Sequence, residues 1–152
     1  MSNIVKLDAV DREILFQLQL DGRLTNVELA RRVGLTPPPC LRRVKRLEDA
    51  GIITGYRAVI NPAAVGRGLE VFVDVDINAN DLKTVQEFEA IAARYDEVIE
   101  LRRMFGRPDY FLRVAVADHA AYEAFLTGKI IGLPGVLHVT SHLTMKKIKA
   151  GG

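Results

Sequence analysis

The stretch from Thr25 to Arg46, TNVELARRVGLTPPPCLRRVKR, most constrains how this chain can fold. Thr25 and Glu28 stand in the S/T-x-x-E spacing of a capping box, which satisfies two orphan backbone donors at a helix start. Leu24 and Leu29 occupy the flanking staple positions. Gly34 supplies the left-handed conformation that ends the helix. Thr36 followed by Pro37 opens a second helix, because a proline at the first helical position loses no intrahelical bond. In that helix Leu41, Val44 and Leu47 make one apolar stripe, with Cys40 beside it.

Arg42, Arg43, Lys45 and Arg46 lie off the stripe, and no acid stands between Arg31 and Arg46. A charge run is usually a solvated helix face. Surface helices normally mix signs, however, and Arg42 and Arg46 form a like-charge i,i+4 pair. Phosphates would neutralise that repulsion. A capped helix, a glycine turn and a basic second helix together have the organisation of a helix-turn-helix that reads duplex DNA. Thr36, Pro37 and Pro38 would fix its entry into the major groove, with Arg42, Arg43, Lys45 and Arg46 supplying phosphate and base contacts.

A net charge of +2 over 152 residues rules out a generic polycation, but the charge is unevenly placed. Residues 1–66 hold ten Lys and Arg against seven Asp and Glu; residues 67–152 hold eleven against twelve. The basic excess therefore falls on the segment carrying the helix-turn-helix. Cys40 is the only cysteine, so an intrachain disulfide and a cysteine cluster for zinc are both excluded. No apolar run approaches the roughly 18 residues of a membrane span, and MSNIVKLDAVDREIL has aspartates where a signal peptide needs an apolar core. A cytoplasmic protein without a membrane partner is expected.

The first helix should run from about Asp8 to Leu20, capped by Asp8 and buried through Val10, Ile14, Leu15 and Leu18. Ile52-Ile53 and Tyr56–Ile60 read as a strand, the wing of a winged helix. From Gly68 the periodicity changes from helical to two. Leu69, Val71, Val73, Val75 and Ile77 alternate with Glu70, Phe72, Asp74 and Asp76. An amphipathic helix follows around Val85–Tyr95, then strands near Val98–Met104 and Tyr110–Val116. Asp118 caps another helix, and a last strand runs about Val136–Met145. The order β-α-β-β-α-β predicts a ferredoxin-like sandwich with one sheet face left for a partner subunit. The expected organisation is α+β: a winged helix-turn-helix over 1–60, a hinge over 61–68 and a ferredoxin-like domain over 69–152.

LDAVDREIL, DGRLTNVELARRVGL, PPPCLRRVKRLEDAGIITGY, NPAAVG, GRPDY and LPGV now stand in the order that carries a family resemblance. From about Leu7 to Lys149 the chain resembles the Lrp/AsnC, or feast/famine, transcription regulators. The resemblance implies a second domain that dimerises and binds a small effector, usually an amino acid held between dimers. It implies dimers that commonly assemble into octamers and bend promoter DNA. It also places the effector cleft at the loop from Gly106 to Tyr110 and at the last strand near Ser141. Two departures stand out: Pro37, Pro38 and Pro39 form a run, and Arg107 follows the loop glycine where an acidic or neutral residue is common.

Within that loop Gly106 permits close backbone approach, Arg107 can fork onto a carboxylate, and Asp109 can pair with an ammonium group. Tyr110 and Ser141 complete the expected effector set. The same residues equally describe a hairpin turn in which Asp109 makes a local bond. A positive Arg107 argues for a ligand other than simple leucine. Some Lrp-like proteins decarboxylate tetrapyrroles, so an enzyme is the competing class, and an architectural DNA-binding protein without an effector is a third. No nucleophile-base-orienter set or phosphate-binding glycine motif is visible, and no catalytic residue, metal or cofactor is expected. His138 and His142 on one strand lie about 13 Å apart, too far to share a metal.

Overall fold

A computed structural model describes residues 6–78 and 81–149. The outer ends of both expected domains, residues 1–5 and 150–152, lie outside them. The described residues fall into two compact units, one ending at Val59 and the other beginning at Ile60.

The first unit has three helices: α1 (Ala9–Leu20), α2 (Asn26–Arg32) and α3 (Pro37–Asp49). Asp8 caps α1 in a reciprocal box with Asp11, each carboxylate accepting the other's backbone N–H. Thr25 accepts from the Glu28 N–H at 3.2 Å, but the return half of the expected box is missing. The Glu28 carboxylate is drawn instead to Arg31 and Arg32. Gly34, at φ +70°, ends α2 in a Schellman arrangement: Leu35 N–H bonds the Ala30 carbonyl and Gly34 N–H that of Arg31. Gly51 closes α3 the same way, with Ile52 N–H on the Leu47 carbonyl.

Ile14, Leu29, Ala30, Cys40 and Leu47 are buried together, with Leu24, Val44, Ile52 and Ile53 packed around them. Two expectations need correction. Leu41 is not part of the buried stripe but 55% exposed. Cys40, Val44 and Leu47 already complete an i, i+4, i+7 row, and Leu41 sits about 100° round the helix from Cys40. Nor do residues 52–60 form a strand: the chain turns at 51–53 and carries no ladder from 54 to 61, so its hydrophobic positions lack the partner strand that a wing requires.

In the second unit β1 (Leu69–Ile77), β2 (Val98–Arg103), β3 (Tyr110–Val116) and β4 (Val136–Leu143) form one antiparallel sheet in the order β2-β3-β1-β4. The crossovers are α4 (Leu82–Ala92) and α5 (His119–Phe125), capped by Asp81 and Asp118. This is the expected β-α-β-β-α-β sandwich. Helix α4 starts three residues earlier than its apolar pattern suggests, because Asp81 accepts the Thr84 N–H. One helical face of the sheet buries Val71, Val73, Val75, Leu112 and Val114 against Phe88, Tyr122 and Phe125. The other face pairs Phe72 with Phe111, ring centroids 5.6 Å apart, and Asp74 with His142.

Candidate functional site

Two places in the molecule concentrate the chemistry, one in each unit. Helix α3 begins with Thr36 as N-cap and Pro37, Pro38 and Pro39 in its first turn. The prolines have no N–H to offer, so the Thr36 hydroxyl caps nothing and the first ladder bond runs from the Cys40 N–H to the Thr36 carbonyl. Asn26 compensates by donating its side-chain amide to the Pro37 carbonyl at 2.8 Å, tying the start of α2 to the start of α3.

The four cations of α3 are not four bare charges. Asp11, only 1% exposed, accepts from Arg43 at 2.8 Å and pairs with Arg46 at 2.6 Å. Arg43 also donates to Asp8 at 2.7 Å. A carboxylate taken out of water needs opposite charge and donors beside it, and these two guanidinium groups supply both. The pairing answers the like-charge problem within the fold, since Arg46 is neutralised by Asp11. Hydrogen bonds from the Asp11 N–H and then Arg43 hold the Asp8 carboxyl at about 2, and Asp8 in turn raises the Arg43 value.

On the far side of α3 stand Pro38, Leu41, Arg42 and Lys45, all exposed, and among the described residues neither cation is ion-paired. Sequence reasoning missed Asp11 as a functional residue. Its signal was present as an aspartate at the third position of a capped helix, on the side that the apolar periodicity assigns to the core.

In the second unit a cavity of about 390 Å³ opens where β1, β2 and β3 end beneath the start of α4. Ile77, Leu82, Val85 and Met104 give it apolar walls, and Asp81, Arg103 and Asp109 bring charge. Of the five residues expected to hold an effector, the structure brings Asp109 and Tyr110 to this cavity. Gly106, at φ +98°, and Arg107 lie in the exposed hairpin beside it. Ser141 faces the other crossover helix, hydrogen-bonded to the Tyr122 hydroxyl, and is not part of the cavity.

Both loop residues that reach the cavity also do structural work. The Asp109 carboxylate accepts the Ile77 N–H at 2.9 Å, and its own N–H donates to Asp76. The Tyr110 hydroxyl donates to Glu89 at 2.6 Å, while Arg103 donates to Glu89 at 2.7 Å and to the Tyr110 oxygen at 3.2 Å. Burial, then Glu89, push the Tyr110 hydroxyl above its ordinary value; Tyr110 and Glu89 raise Arg103. Arg103 and Asp81 were not singled out from the sequence. One is a strand-end arginine and the other a helix cap, and only the closure of the fold brings them together. Among the described residues no group of three His, Cys, Asp or Glu side chains is placed to hold a metal, and no helix is long and apolar enough to cross a membrane.

Comparison with known proteins agrees with this division of labour. Residues 7–54 match the winged helix-turn-helix DNA-binding family, and residues 70–152 match the Lrp/AsnC ligand binding domain. Over 143 residues the chain is 41% identical to the leucine-responsive regulatory protein of Salmonella typhimurium, covering 94% of this chain and 87% of that protein. The Escherichia coli K12 protein of the same name gives the same identity and coverage. A Neisseria meningitidis transcriptional regulator, solved as its L-Met complex, is similar with a TM-score of 0.90 at 39% identity, over 95% of this chain and 94% of that one. An AsnC family transcriptional regulator from Agrobacterium tumefaciens gives 0.87 at 36% identity, again over 95% and 94%.

Proposed function

Because the chain belongs to the Lrp/AsnC family of DNA-binding transcription regulators, we propose that it is a cytoplasmic regulator, not an enzyme, that responds to an amino acid or a closely related metabolite. The observation that carries this reading is the cavity under α4, whose apolar walls meet a cation, Arg103, and two acids, Asp81 and Asp109. A zwitterion presents a carboxylate and an ammonium on one carbon, and charges of both signs at one end of an apolar space suit it. The similarity to a regulator bound to L-Met supports the same class of ligand. Arg107 and the Gly106 backbone, in the adjoining hairpin, would close the site from the solvent side, with Ser141 contributing from a neighbouring subunit.

Control would pass through assembly. Among the described residues neither α4 nor α5 lies over the sheet face carrying Phe72 and Phe111, and a second copy would cover it to form a two-fold dimer. Dimers would join around the Gly106 hairpin into a larger particle, an octamer by the family pattern. An effector held between dimers changes DNA wrapping only through its different affinity for the two assemblies.

On DNA, α3 would enter the major groove with Thr36, Pro37 and Pro38 leading. Arg42 and Lys45 are the direct contacts in this reading. Arg43 and Arg46 act mainly by fixing the angle of the helix through Asp11. Calorimetric titration of the full chain with the twenty amino acids, repeated on Arg103→Ala and Asp109→Ala, tests the effector site. Binding by the parent chain that drops at least tenfold in Arg103→Ala is expected. No binding at millimolar ligand, or binding indifferent to both changes, would leave an architectural DNA-binding protein in its place. Incubation with an iron tetrapyrrole, followed by mass analysis, should return the tetrapyrrole unchanged; loss of its carboxyl groups would restore the enzyme reading.

A further inference from the structure

We infer that Leu41 is a base-reading residue, and that the duplexes this protein selects carry a thymine whose C5-methyl group packs on Leu41 and Pro38. The inference rests on the DNA-binding function and goes beyond it in naming the base and the residue that recognises it.

An exposed leucine alone means little, since much of any protein surface is apolar. Leu41 is distinguished by its surroundings. Helix geometry puts Pro38, Leu41, Arg42 and Lys45 on one face of α3, and all four are exposed. Arg43 and Arg46 are drawn toward Asp11 on α1, away from the centre of that face. The outward face of the recognition helix is therefore an apolar patch flanked by two cations rather than a uniformly basic surface.

Chemistry narrows what such a face can meet. A helix N-terminus can meet nucleic acid with its free backbone N–H groups, which donate to phosphate. Pro37, Pro38 and Pro39 remove those donors from the first turn of α3 and leave hydrocarbon in their place. Arg42 and Lys45 still supply charge for phosphate oxygens on either side. Between them the partner must offer an apolar group in the major groove, and only thymine does so, through its methyl. Guanine presents two acceptors there, adenine an acceptor and an amino group, and cytosine an amino group, and these would be desolvated against Leu41 without a hydrogen-bond partner.

The experiment uses the full chain to select tight-binding duplexes from a random pool, then replaces each thymine of the selected site, singly, with deoxyuridine. That exchange removes one methyl and keeps the pairing. At one position per half-site the parent chain should lose about fourfold in affinity, the ratio equivalent to roughly 0.8 kcal/mol for one buried methyl-sized group. Leu41→Ala should bind the thymine and uracil duplexes equally. Lys45→Ala should weaken both by the same factor and preserve their ratio. Since Leu41 is 55% exposed, its replacement should leave the melting temperature unchanged.

A parent chain indifferent to every thymine-to-uracil exchange would overturn the assignment, as would a Leu41→Ala protein that keeps the ratio. A change of sedimentation in Leu41→Ala would also overturn it, by showing that a second copy covers the residue. Failure to enrich any duplex would remove sequence-specific DNA binding, and the thymine assignment with it, leaving a non-specific architectural binder.

Discussion

The first unit buries five apolar side chains and one carboxylate, whereas the second closes a sheet face with fifteen apolar side chains, counting the described residues. Both units must fix a helix against its neighbours, and they do so by different physics. In the second, α4 and α5 settle on the sheet because Phe88, Tyr122 and Phe125 fill the space over the inward valines of β1 and β3. Three short helices cannot enclose as much hydrocarbon. There α3 is tied to α1 by Arg43 and Arg46 on Asp11 as well as by a small apolar cluster. An apolar core is forgiving in angle as long as volume is conserved, while an ion pair with buried acceptors is not. The recognition helix is thus held by the more directional of the two means.

The largest expected effect comes from emptying the apolar core. Phe88 is fully buried and packs on Tyr110 with the rings tilted by 45° and their centroids 4.6 Å apart. Phe88→Ala should destabilise the second unit by about 3–5 kcal/mol. Urea unfolding followed by NMR amide signals should then show the sheet residues lost well before those of α1–α3. If both units unfold together at an unchanged midpoint, the two cores are not energetically separate.

A smaller loss is expected from Asp11. Asp11→Ala removes the shared acceptor of two guanidinium groups that can turn to water, and should cost about 2 kcal/mol, near the range for hydrogen bonds to charged groups. The sharper experiment replaces Asp11, Arg43 and Arg46 together with leucine. Stability should return to the parent value or exceed it, because a hydrophobic cluster of that size replaces an ion pair without penalty. Sequence-specific DNA binding should not return. Full recovery of binding would mean that the ion pairs do not set the angle of α3.

The sequence exposes these two regions unequally. Strand β1 stands where alternation alone puts it, since a sheet with one buried face imposes a period of two on its residues. The caps at Asp8, Thr25 and Asp118 were equally legible, because they act over three residues of chain. The exposure of Leu41 and the ion pairs of Arg43 and Arg46 were illegible for the opposite reason. Whether a leucine faces the core, or an arginine meets an aspartate 32 residues away, depends on how helices cross, and no local pattern encodes that. The cavity of the second unit was half legible. Its loop is marked by Gly106 and Pro108, but Arg103, Asp81 and the apolar walls come from three separate elements, β1, α4 and β2.

The smallest effect concerns acid, and it separates the two units once more. Asp8 ordinarily titrates at 3.8 and is held at about 2 by the Asp11 N–H and then by Arg43. Glu28, ordinarily 4.5, is held at about 2 by Arg31 and then Arg32. A carboxyl depressed in the folded state binds its proton more readily when unfolded. Its contribution is therefore complete above the unfolded value and is lost as pH falls through the folded one. Both groups lie in the first unit and place its loss between about pH 4 and pH 2. Asp81, lowered by the Thr84 N–H and hydroxyl, is shifted in the same direction in the second unit, but it caps a helix whose Val85, Phe88 and Ala92 are also buried in the apolar core. On acidification at moderate salt, amide signals of α1–α3 should therefore fade before those of the sheet. Asp8→Asn should flatten the dependence of the first unit while leaving that of the second unchanged. Simultaneous loss in both, untouched by Asp8→Asn, would show that the acid response is one of net charge and not of the ion pairs that hold the recognition helix.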